Sequence, residues 1–333
     1  MLECATSATG SDETPSYDTT SVFNSASANA HPALDPVFPL LAAVADDDRA
    51  AAVIRTAATL ARRRGAMPTV LRARGAEPDV GVTIPPSMSV VTEDLRSPDY
   101  SDESRASLRR LVADVAGEVQ WRVETVQMPP LDAIVEQSRQ MSAELIVMGL
   151  RRRGVLNEAL SRDLLHAVVR STQLPVLAVT PRLCELPRRI VVGIDFGEAS
   201  IRAAAIARHL LAPDGEMHLI HVSPAYSDST DQWLGIIHSR GTSWLRQELN
   251  YLIENLCPTS GMRFTPVVVD GDVTLSIDGC ARRVNADLVA VGSDPRSQVG
   301  QVTGSVSGVS SVSIEIAHKA RWSMLIVPAR NDV

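Results

Sequence analysis

An internal duplication limits the folds open to this chain. Ala143-Glu144-Leu145-Ile146-Val147-Met148-Gly149 returns as Ala286-Asp287-Leu288-Val289-Ala290-Val291-Gly292. Val44-Ala45-Asp46 returns as Gly193-Ile194-Asp195, and Pro175–Val179 returns as Ser323–Val327. The three separations are 143, 149 and 148 residues, so the landmarks hold register apart from loop insertions. Self-similarity at a fixed period marks a repeated structural unit. A length of 333 residues is what two such units need.

Each copy alternates short apolar runs with amphipathic stretches. In the first, strands are predicted at Phe38–Ala45, Met67–Arg74, Val119–Val126, Glu144–Met148 and Pro175–Val179. Helices are predicted at Ala50–Arg64, Ser101–Ala116, Pro130–Ser142 and Asp163–Thr172, with residues 75–100 irregular. The second copy gives strands at Arg189–Ile194, Glu216–Val222, Arg263–Val269, Asp287–Val291 and Ser323–Val327. Its helices are Glu198–Leu211, one within Gly241–Leu256, Val273–Asn285 and Val312–Ala320. Strands that are apolar throughout are buried on both faces, which is the habit of parallel sheets. The alternation therefore implies α/β domains, each a parallel sheet with helices on both faces. The expected organisation is a disordered tail over 1–36, a first domain over 37–182 and a second over 183–333, forming two lobes rather than one undivided sheet. The tail is rich in Ser, Thr, Asp, Asn, Ala and Pro and has no apolar period. It reads as a linker or as a segment that folds on a partner.

Charge excludes some partners. Residues 1–36 hold five acids and no base, residues 37–182 hold 18 acids and 19 bases, and residues 183–333 hold 16 and 13. No segment is strongly basic, so no duplex-binding surface and no nucleic-acid partner is expected. The longest apolar run, Leu40–Ala45, falls far short of the roughly 20 residues that span a bilayer, so no membrane partner is expected either. The start of the chain has no basic and apolar leader pattern. Cys4, Cys184, Cys257 and Cys280 are scattered, with no CxxC pair, which fits a reducing compartment and a cytoplasmic protein.

Ligands of such sheets bind beyond the carboxyl ends of the strands, where strand order reverses. Asp46 and Asp195 follow the first strand of each copy, and Gly149 and Gly292 end the fourth. A carboxylate there accepts hydrogen bonds from ribose hydroxyls or an adenine amine. A glycine allows close approach of a ligand, and a following Gly/Ser loop at a helix N-terminus offers N–H groups to phosphate. Asp195 also reads as a helix cap, and Asp46-Asp47-Asp48 as a capping cluster or, less simply, as magnesium ligands.

At these residues the chain resembles the universal stress protein family in a tandem form, over residues 38–328. ATP-binding members carry a glycine after the fourth strand, a second glycine three positions on, nine residues, and then Gly-Ser or Gly-Thr. The resemblance implies two doubly wound, Rossmann-like domains, each a five-stranded sheet of order 3-2-1-4-5. In the first copy Gly149 is present, but the second glycine is Arg152 and the last pair reads Arg162-Asp163. A carboxylate where phosphate should lie repels it, so this copy reads as degenerate. Arg151, Arg152, Arg153 and Arg162 form either an exposed arginine face or an anion clamp.

In the second copy Asp195 and Gly292 are in place, and the loop element falls on Gly300, Ser310, Ser311 and Ser313. A second register is Gly304-Ser305-Val306-Ser307. The resemblance puts Val222 and Val291 beside adenine, although both also read as strand core. It implies an adenine nucleotide, ATP or AMP, in the second domain, with Mg2+ as a companion ion and a regulatory role. Slow ATP hydrolysis occurs in parts of the family, but no general base or activated nucleophile is recognisable here. The alternative is a nucleotide-free scaffold for an unknown protein partner. His218 and His221 sit three apart on a predicted strand and so point to opposite faces, which precludes chelation of one metal. Each domain's last strand needs a partner. In the family these strands pair between subunits; here Val176–Val179 is expected antiparallel to Met324–Val327 within one chain, an intrachain pseudo-dimer. A further homodimer stays open.

Overall fold

The computed structural model describes residues 38–47, 49–74, 98–117, 119, 121–150, 158–223, 232–256, 261–293, 316 and 321–329. The predicted tail lies outside them. The strands are β1 (Pro39–Val44), β2 (Met67–Arg74), β3 (Arg122–Gln127), β4 (Leu145–Gly149), β5 (Val176–Val179), β6 (Arg189–Gly193), β7 (Glu216–Ser223), β8 (Arg263–Asp270), β9 (Leu288–Ser293) and β10 (Ser323–Pro328). The helices are α1 (Ala50–Arg64), α2 (Pro98–Ala116), α3 (Pro130–Gln140), α4 (Glu158–Thr172), α5 (Glu198–Leu210), α6 (Gln232–Asn255) and α7 (Val273–Arg283).

The strands form one sheet of order β3-β2-β1-β4-β5-β10-β9-β6-β7-β8. Each half reads 3-2-1-4-5 in its own numbering, with parallel pairing inside the half. The halves meet where β5 and β10 run antiparallel, with Leu325 opposite Leu177 and Met324 opposite Ala178. This is the pairing the strand edges predict. It also corrects the expectation of two separate sheets, because edge pairing of this kind fuses two sheets into one. What divides the halves is the reversal of strand direction, and not a gap.

The central strands β1, β4, β5, β10, β9 and β6 are largely buried on both faces, as their apolar sequences require. Phe38, Leu40, Ile54, Leu108, Leu177 and Leu325 belong to one core layer, and Leu41, Ile134, Ile146, Leu165, Ile277 and Met324 to the other. Cross-half contacts tighten the seam. The Thr180 amide donates to Ser323 Oγ at 3.1 Å, both residues being buried. Phe38 meets His209 edge-on at 5.8 Å.

Local signals set several ends. Gly65 closes α1 in the left-handed conformation (φ 73°), its N–H reaching the Leu60 carbonyl. Asp272 caps α7 by accepting from the Leu275 amide at 2.8 Å, as its place before that helix predicts. Other ends differ from the sequence reading. α2 starts at Pro98, inside the stretch read as irregular, and α4 starts at Glu158. α6 begins at Gln232 and runs through Gly235 and Gly241, because each interior glycine costs only about 1 kcal/mol in a long helix. β3 starts at Arg122 and not Val119; as an outermost strand it carries a polar sequence that apolar runs do not locate. The opposite outer strand, β8, contains Pro266, a residue tolerated where no ladder continues.

Candidate functional site

Strand order reverses between β6 and β9 in the second half and between β1 and β4 in the first. Both candidate sites lie at the carboxyl ends of these strands, and they are built differently.

In the second half, β6 ends and the Ile194 amide bonds the Ile220 carbonyl at 2.8 Å. The chain then turns through Asp195, Phe196 and Gly197 into α5. Phe196 takes φ 62°, a conformation bulky residues seldom adopt and one that clusters at functional turns. The turn is held by its own side chains. Asp195 Oδ1 accepts from the Gly197 amide at 2.9 Å, and the Asp195 amide donates to Ser200 Oγ at 3.3 Å. The Phe196 ring lies 5.0 Å from the His221 ring, and His221 Nδ1 lies 2.8 Å from the Ile194 carbonyl oxygen. A carbonyl only accepts, so Nδ1 carries the proton.

The helix cap is Gly197, with no side-chain cap bond. The expectation that Asp195 caps α5 is therefore corrected: its carboxylate forms a two-residue turn ahead of the helix, since Gly197 is the nearest amide it reaches. Asp195 is exposed. Its second oxygen, Oδ2, has no hydrogen-bond partner among the described residues.

Gly292 has a structural reason of its own. A Cβ there would fall 2.5 Å from the Ser200 nitrogen and 2.7 Å from the Ala199 carbonyl carbon. The first turn of α5 thus rests on the end of β9. Val291 is buried and Val222 half-buried, on the same core layer as Ile277. Gly193 pairs with Val291 on one side and Ile220 on the other, so the predicted valines flank the end of β6. The structure therefore gathers Asp195, Val222, Val291 and Gly292 at one switch point. Gly300, Ser310, Ser311 and Ser313, and the alternative Gly304–Ser307 register, lie outside the described residues.

In the first half the corresponding groups are consumed by arginines. Asp46 bonds Arg72 Nη1 at 2.9 Å and Arg74 Nε at 2.7 Å. Burial pushes the Arg72 guanidinium below its usual value, Asp46 opposes that shift, and Arg74 adds to it. Asp47 accepts from the Arg49 amide at 3.0 Å and from Arg49 Nε at 2.8 Å. Arg49 is the N-cap of α1 and no side chain caps that helix. The reading of Asp46 and Asp47 as helix caps is corrected, because Arg72 and Arg74, at alternate positions of β2, hold Asp46, and Arg49 holds Asp47. Asp48 lies outside the described residues, as do Arg151, Arg152 and Arg153. Arg162 and Asp163 fall on α4.

Arg49 also covers Gly149, where a Cβ would meet Arg49 Cβ at 2.9 Å. Beside it opens a cavity of about 580 Å³ whose lining includes Ala43, Leu71, Ala73, Ile134, Asp47 and Arg49. The sequence reading missed this cavity. Its trace in the sequence is small residues, Ala43 and Ala73, at the ends of two neighbouring strands, where larger ones would fill the space. Among the described residues no group of three metal-ligating side chains gathers, and no helix is long and apolar enough to cross a membrane.

The model of the universal stress protein family matches twice, over residues 38–180 and 187–328. The chain belongs to the universal stress protein family. A universal stress protein from Archaeoglobus fulgidus DSM 4304 has a solved structure similar to it, with a TM-score of 0.62 and 17% identity, covering 90% of this chain and 100% of that one. A candidate universal stress protein from Pseudomonas aeruginosa UCBPP-PA14 gives 0.58 and 13%, covering 88% and 93%. At these identities the likeness concerns the fold alone. A comparison with curated proteins finds no match. The tandem architecture of the family thus accounts for the duplication, and the 3-2-1-4-5 order of each half is as the resemblance implies.

Proposed function

We propose that this tandem universal stress protein is a regulatory, cytoplasmic protein that takes an adenine nucleotide, ATP or AMP, in its second domain. The observation that carries the reading is the contrast between the two aspartates. Asp46 is held by two arginines, whereas Asp195 keeps a carboxylate oxygen with no partner among the described residues. That oxygen would accept a ribose hydroxyl or the adenine amine. Val222 and Val291 would supply the apolar wall for the base, and the Gly300–Ser313 stretch would meet the phosphates, with Mg2+ entering as their counterion. The nucleotide would act by favouring one conformation or partner over another. No residue here is assigned a chemical step.

A nucleotide-free scaffold for a protein partner is the second reading, and one observation favours it. The packing of α5 on Gly292 explains that glycine without any ligand. Titration calorimetry of the full chain with ATP, ADP and AMP, with and without magnesium, separates the two. Saturable heat and a thermal shift support the nucleotide reading. No heat and no shift at millimolar nucleotide would leave the scaffold.

A further inference from the structure

The first-half cavity is large enough for a ligand, yet it is dressed for something other than a phosphate ester. Its volume, about 580 Å³, lies within the roughly 300–1,000 Å³ of small-molecule pockets. Its lining is mostly apolar, with Ala43, Leu71, Ala73, Leu131, Ile134 and Met148 among it, and includes the charged pair Asp47 and Arg49. The two charged lining groups, Asp47 and Arg49, hold each other through the Arg49 Nε bond at 2.8 Å and the Arg49 amide bond at 3.0 Å. Nearby Asp46 is likewise paired with Arg72 and Arg74. An anionic ligand would have to lose its hydration and break the Arg49–Asp47 pair to find a counterion. A neutral apolar one would simply remove hydrocarbon surface from water.

We infer that the first-half cavity is a binding site for an uncharged, predominantly apolar small molecule, so that the two halves of the chain take ligands of opposite character. The inference stands on the cavity's own walls and is independent of the nucleotide reading for the second half. The space is not a packing defect of a core: it opens at the strand ends, where this class of sheet receives ligands.

A pair of dyes sharing one skeleton tests it on the full chain. N-phenyl-1-naphthylamine is neutral, and 8-anilino-1-naphthalenesulfonate is the same ring system with a sulfonate. The neutral dye should bind saturably, one per chain, and at least about tenfold more tightly than the sulfonate. Millimolar ATP should not displace it. Ala43→Leu and Ala73→Leu, on two different strands, should each weaken it about tenfold or more by occupying the same space. Asp47→Asn, which leaves Arg49 without its carboxylate, should move the preference toward the sulfonate. Equal affinity for both dyes, displacement by ATP, or undiminished binding in both folded leucine variants would overturn the inference. Should both leucine variants fail to fold, the dye preference and the ATP competition on the unaltered chain still decide it.

Discussion

Gly149 and Gly292 are the same position of the repeat, yet a methyl group added to each should have different consequences. At 292 the new carbon would sit 2.5 Å from the Ser200 nitrogen, 2.7 Å from the Ala199 carbonyl carbon and 2.9 Å from the Ser200 Cα. Ordinary carbon contacts lie at about 3.5–4.0 Å, so the overlap is close to 1 Å. The atoms are backbone in the first turn of α5 and cannot rotate away. Overpacking of this kind costs about 1–3 kcal/mol, and the rigid partner argues for the upper end. The lost flexibility of glycine in the unfolded chain returns about 0.4–1 kcal/mol. Gly292→Ala should therefore destabilise by about 2 kcal/mol. At 149 the nearest atom is Arg49 Cβ at 2.9 Å, the next Arg49 Cδ at 3.4 Å. Relief needs Arg49, the residue that precedes α1, to move by about half an ångström, a smaller overlap than at 292 and with no helix backbone in the way, so Gly149→Ala should cost less than Gly292→Ala, about 1 kcal/mol. Urea unfolding followed by far-UV circular dichroism measures both, as a change in midpoint at constant slope. Equal midpoints for the two variants would refute the reasoning that α5, and not a ligand, fixes glycine at 292. The same geometry makes any bulky residue at 292 a poor probe of nucleotide binding, since it disturbs the fold first.

Three further outcomes follow from the seam, the pH dependence and a cap. Leu325→Ala, at a fully buried position opposite Leu177, should cost about 2–5 kcal/mol in urea unfolding; an unchanged midpoint would mean the β5–β10 joint carries no load. His209 has its pKa lowered from 6.5, first by burial and then by the charges of Arg64 and Arg208. The folded state thus keeps it neutral while the unfolded chain binds a proton as pH falls through 6.5, so stability should fall below that pH and His209→Gln should flatten the slope. Denaturant midpoints between pH 7.5 and 5.5 check the sign, and a stability that rises on acidification in the parent but not in the variant would reverse it. Asp272→Ala removes the Leu275 amide's acceptor and should cost about 1 kcal/mol by the same assay; a neutral result would show that the cap is dispensable.

Much of the fold was legible because its signals are local or repeated. Apolar runs such as Leu145–Gly149 and Leu288–Gly292 announce buried parallel strands, and their recurrence fixes the equivalence of the halves. The antiparallel seam followed from an edge that had to be covered. What stayed hidden depends on partners distant in sequence. Asp46 looks like the twin of Asp195, but Arg72 and Arg74, on β2, decide its fate. Gly292 looks like a ligand's glycine until α5 is seen resting on it. The first-half cavity is a shortage of volume, which no motif spells. The polar outer strand β3 and the glycine-containing α6 lost their ends to tertiary context in the same way.

On the proposed function, one aspartate of the duplicated pair serves a nucleotide while the other serves the fold. Calorimetric titration of ATP into Asp195→Ala and Asp46→Ala, alongside the parent chain, tests it most directly. The account predicts one nucleotide per parent chain, affinity lost by about tenfold or more in Asp195→Ala, and affinity kept in Asp46→Ala. Loss in Asp46→Ala with retention in Asp195→Ala would contradict it.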